Sequence, residues 1–131
     1  MIRSFLIITS FLITSWASAQ DVDYLKSIQP HEEFENILVQ KLAEDELQSA
    51  FVIWVKKGVK AHHHVYHTEN IYVISGKAEM TIGDKSFRIK PGDYLNIPKG
   101  TSHSVTQVFG KKPLKVLSIQ APKFDGDRVF E

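Results

Sequence analysis

The reading turns on residues 58–76, GVKAHHHVYHTENIYVISG. Four of the chain's six histidines, with one glutamate, fall within residues 61–70 of a sequence that has no cysteine. Along a strand successive side chains point to opposite faces, so His62 and His64 share one face while His63 takes the other. Two imidazoles two residues apart on an inward face can chelate a single ion. Glu69 stands at the start of the apolar run NIYVIS, where a short bend after His64 returns its carboxylate to the same place. A ligand from a distant segment completes the set, and His103 in IPKGTSHSV is the candidate, again at the beginning of a strand after a Pro/Gly turn. Three neutral imidazoles and a carboxylate suit a borderline divalent ion: Zn, Cu, Fe, Ni or Mn. Without an ion, burial of this set leaves several polar groups unmatched, so ligation outweighs a purely structural role. His31, alone in a polar arm, reads as a surface residue.

Outward from the cluster the pattern is all-β. Short runs such as KAEMTI, KSFRI, DYLNI, SVTQVF and LKVLSI are separated by the turn signals SGK, GDK, KPG, PKG and GKKP. No segment of helical period intervenes, which predicts a sandwich or barrel of antiparallel strands. Upstream, NILVQKL and SAFVIWVKK suit two more strands, with AEDEL between them as a turn. Residues 20–35 are polar and broken by Pro30, an extended arm or a short helix, and residues 36–131 form one domain. Alternation turns Val105 and Gln107 inward with His103, and Ile71 and Val73 inward with Glu69. On SAFVIWV, either Phe51, Ile53 and Val55 or Val52 and Trp54 line the same cavity. The result is an apolar pocket with few polar groups, suited to a small organic ligand.

Residues 58–76 resemble the first motif of the cupin family, H-x-H, three or four residues, E, six residues, G, with His62, His64, Glu69 and Gly76 in register. Residues 92–103, GDYLNIPKGTSH, resemble the second, G-x5-P-x-G-x2-H, through Gly92, Pro98, Gly100 and His103. The likeness spans roughly residues 36–121, with departures at the leading Gly58, nearer to its first histidine than usual, and at Gln107, where Asn is usual. The resemblance implies a double-stranded β-helix, a jelly-roll barrel with a metal near its centre. It implies no one reaction, since the fold hosts oxygenases, isomerases, lyases, sugar-binding modules and storage proteins. The tail APKFDGDRVF is similar to those of small bacterial cupins.

Residues 1–19 combine Arg3, an apolar run from Phe5 to Ile13 and the small-residue site Ala17–Ala19. They read as a signal peptide, so the mature chain is expected in the periplasm or secreted. The run is too short and too interrupted for a stable membrane anchor. Without that segment, basic and acidic side chains are equal in number, which argues against nucleic acid as a partner. An exported domain lacking disulfides needs packing, a metal or oligomerisation, and a homodimer covering exposed strand edges is the expectation.

Two functions remain open at this level. One is a mononuclear metalloenzyme in which His62, His64, Glu69 and His103 leave coordination positions for substrate, and His67, Tyr66 or Glu79 moves protons. The other is a non-catalytic module, for a small ligand or a sugar, whose metal fixes the ligand or holds the barrel together. His67 is read three ways, as general base, replacement ligand or exposed loop residue.

Overall fold

The computed structural model describes residues 24–131. Residues 1–19, expected from the sequence to be a signal peptide, and the first residues of the arm lie outside the described residues. Ten strands follow one another: β1 (Ile37–Glu44), β2 (Ser49–Val55), β3 (Val59–His64), β4 (Thr68–Ser75), β5 (Lys77–Ile82), β6 (Lys85–Ile89), β7 (Tyr94–Ile97), β8 (His103–Phe109), β9 (Leu114–Ala121) and β10 (Arg128–Phe130). They pair antiparallel throughout, in a first sheet ordered β1-β2-β9-β4-β7 and a second ordered β10-β3-β8-β5-β6. This is the all-β jelly roll that the motifs imply. Among the described residues no helix is long and apolar enough to cross a membrane.

The core lies between the sheets. Val55, Ile71, Val73, Met80, Ile89, Ile97, Val105 and Val116 bury their side chains there and bring the two faces into contact. A second cluster forms on the outer side of the first sheet, where Leu38, Val52, Trp54 and Ile74 are covered by Leu25, Ile28 and Phe34 of the arm. Strand β2 is therefore apolar on both sides: Ile53 and Val55 line the cavity, while Val52 and Trp54 face the arm. Among its described residues the arm contains no helix. A turn over residues 25–27 sets its carbonyls around the buried Lys115 ammonium, which donates to Leu25 O at 2.5 Å and Ile28 O at 2.6 Å and lies 5.4 Å from the Trp54 ring. Burial lowers the affinity of Lys115 for its proton.

Two local features set the registers around the site. Gly76 joins β4 to β5 at φ +81°, and a Cβ there would stand 2.4 Å from Pro113 O and 2.7 Å from Leu114 Cα, so only glycine fits. On β8 the pairing with β5 shifts between Val105 and Gln107. Thr106 is the extra residue of this bulge, and it breaks the alternation. Gln107, expected inward with His103, is exposed for that reason, whereas Val105 is buried as expected.

Candidate metal centre

Strand β3 carries alternating burial, with His62 and His64 buried and His63 half-buried on the outer face beside Glu131. Its neighbour β8 begins at His103, which pairs directly opposite His62. The chain then bends through residues 65–67 and crosses to the other sheet, where β4 carries Glu69 back across the cavity. Gly100 ties the turn of the second motif to the end of β3, its N–H donating to His64 O at 2.7 Å. Three histidines of one sheet thus meet a carboxylate of the other. The nitrogens offered by His62, His64 and His103 lie within 4.8 Å of one another. Glu69 Oε2 is 3.1 Å from His103 Nε2 and 3.7 Å from His64 Nε2.

Each imidazole is oriented through its other nitrogen. His62 Nδ1–H donates to Lys60 O at 2.8 Å and His103 Nδ1–H to Thr101 O at 3.0 Å. His64 Nδ1–H donates to Asp127 Oδ1 at 3.1 Å. Because those partners are acceptors, the proton of each neutral ring belongs on Nδ1 and the Nε2 lone pair points into the site. His64 Nε2 and His103 Nε2 are buried with no hydrogen-bond partner among the described residues. Such orphaned lone pairs, beside a carboxylate and with their tautomers fixed from behind, are what a metal ion satisfies. The donor set therefore fits a divalent transition metal, and the same geometry does not choose among the candidate ions.

Glu69 is held from the other side. Ser118 Oγ–H donates to its Oε1 at 2.5 Å, and Gln120 Nε2–H approaches the same oxygen at 3.4 Å. Burial pushes its carboxyl up, but His103, His64 and the Ser118 hydroxyl outweigh that and hold it well below the usual carboxylate range. His62 moves the other way for an imidazole: burial, with the nearby charges of His103, Arg128 and His64, overcomes the Lys60 carbonyl and lowers it to about 4. For His64 burial is overridden by Glu69 and Asp127, which raise it.

Asp127 carried no signal in the sequence, yet it organises this end of the site. Its Oδ1 accepts from His64 and stands 2.7 Å from His67 Nδ1, and its Oδ2 accepts the Tyr66 N–H at 2.6 Å. Burial raises its carboxyl, but these contacts prevail and bring it down to about 2. The tail reaches this position because β10 pairs with β3, Arg128 opposite His64 and Phe130 opposite His62. Phe124 packs edge-on against His64 with ring centroids 5.8 Å apart. The stretch FDGDRVF is thus part of the centre, over a separation of about sixty residues that no local spacing reveals.

Of the three residues considered for proton transfer, Glu79 sits opposite Arg88 on the neighbouring strand, away from the cavity, and the other two also stand elsewhere. His67 is buried, not exposed, behind His64, and its Nε2–H donates to Lys123 O at 2.5 Å. Tyr66 is 64% exposed, and neither residue lines the cavity beside the histidines. That cavity, of about 80 Å3, is lined by His62, Glu69 and His103 and by the apolar side chains of Ile53, Val59, Ile71 and Met80. Ile37 and Val39 of β1, each less than half exposed, join it as well, together with Ser104 and Arg128.

The structure is thus a jelly roll with a histidine-rich candidate metal site beside an apolar cavity. Within it, a sequence profile of the Cupin domain family matches residues 50–120, and the chain belongs to that family. An uncharacterized protein of Aquifex aeolicus (strain VF5) is 33% identical over 92 residues, 70% of this chain and 74% of that one. Quercetin 2,3-dioxygenase of Bacillus subtilis (strain 168) is 31% identical over 67 residues, 47% of this chain but only 20% of the enzyme. A Klebsiella pneumoniae protein with a double-stranded beta-helix domain superposes with a TM-score of 0.70 at 20% identity, covering 86% of this chain and 97% of that one, a likeness of fold.

Proposed function

We propose that this cupin binds one divalent transition metal through Nε2 of His62, His64 and His103 and a carboxylate oxygen of Glu69, and acts as a mononuclear metalloenzyme on a small organic molecule held in the adjoining cavity. The observation that carries the reading is the pair of buried, unpartnered Nε2 atoms on rings whose Nδ1–H groups are committed to fixed acceptors. A bound divalent ion supplies Lewis-acid polarisation of a carbonyl, or activation of water or oxygen. This chain's own residues do the rest: Asp127 and the Lys60 and Thr101 carbonyls fix the rings, Ser118 aims Glu69, and the apolar walls exclude water. In this reading Asp127 holds His67 and Tyr66 as supports of the centre, outside the reacting space.

The lining supports a second reading, a binding module with a ligand-fixing metal, because no acid or base beyond the ligand set and Arg128 faces the cavity among the described residues. In either case residues 1–19 serve as an export signal and the metal is acquired outside the cytoplasm, where the Irving–Williams order favours Zn or Cu. A second copy of the chain pairing at a sheet edge, β1 or β10, makes the homodimer.

Stripped protein titrated with each candidate metal and followed by thermal melting tests the proposal: the midpoint climbs and saturates at one equivalent for the ions that fit. No rise with any ion contradicts metal binding. The best-loaded form is then incubated with small phenolic, hydroxy-acid and sugar-derived compounds, where a metal-dependent product supports the enzyme reading and binding without product supports the module.

A further inference from the structure

Arg128 is the one cation lining the cavity, among the described residues, and its Nε has no acceptor there. On β10 it pairs opposite His64, so its side chain points to the same inward face. Its Nε is buried and makes no hydrogen bond, and no carboxylate of the described residues forms an ion pair with the guanidinium. The other charged contacts of the tail are spoken for, since Asp127 holds His64, His67 and the Tyr66 N–H, and Glu131 takes the Ser102 hydroxyl. Phe124 lies beneath the guanidinium, 5.8 Å from ring centroid to Cζ, and restricts where the planar fork can aim. A buried guanidinium Nε–H without an acceptor is costly, and an anion that reaches the fork supplies one.

Arg128 lines the same cavity as His62, Glu69 and His103, on the strand next to β3 and near enough for its charge to act on His62, with apolar side chains forming the rest of the lining. Its volume accommodates about five to eight water-sized atoms. A planar guanidinium matches a carboxylate through two parallel hydrogen bonds. Building on the metal-pocket reading, we propose that Arg128 is the anion-recognising group of the cavity and that the molecule taken there is a small carboxylate, its charged end on Arg128 and its other functional group toward the histidine centre.

The test uses the metal-loaded full chain and the Arg128→Gln and Arg128→Lys variants, with acetate, glycolate and pyruvate each measured by calorimetry beside its uncharged amide. At least one acid binds wild type better than its amide, and Arg128→Gln lowers that preference by about tenfold or more. Arg128→Lys, which keeps the charge without the fork, restores part of it. An equal preference in wild type and Arg128→Gln overturns the assignment, because the metal alone then selects the acid. No preference for any acid in wild type overturns it too, as does tighter binding of inorganic phosphate than of every carboxylate. Metal content read on the same samples reports separately on the metal-pocket reading: one ion per chain is expected in all three proteins, and its absence overturns that reading while the acid-to-amide ratio is scored as before. Unchanged circular dichroism in Arg128→Gln shows that a lost preference is not a lost fold.

Discussion

Replacing Asp127 by Asn leaves size and shape nearly unchanged and alters only what the group can accept. In the native site Oδ1 receives the His64 Nδ1–H at 3.1 Å and faces His67 Nδ1 at 2.7 Å, while Oδ2 receives the Tyr66 N–H at 2.6 Å. An amide offers one oxygen and one NH2, so in either orientation a donor confronts a donor. If the NH2 faces the histidines, His64 is driven to the tautomer protonated on Nε2, and the lone pair aimed at the metal is lost. If it faces Tyr66, a buried backbone N–H is stranded and the tail loosens from β3. Losing a charge-assisted hydrogen bond costs about 1.5–3 kcal/mol, and loss of a carboxylate behind a ligating histidine weakens metal binding by about 10–100-fold. The two figures agree, since that range of affinity is about 1.4–2.7 kcal/mol. Competition against a chromophoric chelator, with His63→Ala as the outward-facing control, measures the effect. Histidine nitrogen chemical shifts report the His64 tautomer, which a merely structural role of Asp127 does not move. A metal affinity within threefold of wild type, with the tautomer unchanged, refutes the argument and leaves Asp127 as a clasp for the tail.

Other outcomes follow from the same geometry. Gly76→Ala must place a Cβ against backbone atoms of Pro113 and Leu114 at positive φ, and is expected to lower stability in urea by at least about 2 kcal/mol. Gly83→Ala, at φ +58° with open space around it, costs only about 1 kcal/mol. The acid limb of stability has a definite sign. Asp127 titrates at about 2 when folded against 3.8 for an ordinary aspartate, so its contribution is complete above that ordinary value and is lost as pH falls toward 2. Glu69, also depressed, adds a loss of the same sign. Metal-free wild type should therefore lose stability more steeply from pH 4 to pH 2 than metal-free Asp127→Asn, as read by urea midpoints at each pH.

Much of this molecule can be read from short-range patterns. The strands announce themselves through alternation and turn residues, and the four candidate ligands sit at spacings that a single strand, one bend and one Pro/Gly turn convert into a common site. What escaped depends on contacts distant in the chain or on local breaks of period. Asp127 and Arg128 lie in a short tail with no alternation to mark their faces, and only the pairing of β10 with β3 aims them at the centre. Ser118 and Gln120 stand on β9 among apolar neighbours, where nothing signals that Glu69 will arrive opposite Gln120. Gln107 was misplaced because one extra residue on β8 reverses every face beyond it. His67 follows a bend, where strand alternation has no force, and its burial comes from the tail folding over it.

The central claim is that His103 reaches across from the second motif to complete a metal site whose other imidazoles come from one face of β3. Elemental analysis of untagged protein, purified without chelator, beside His103→Ala and His63→Ala, tests it most directly. The account predicts about one metal ion per chain in wild type and in His63→Ala, and a sharp loss in His103→Ala. Equal losses in the two variants, or full occupancy in both, would contradict it.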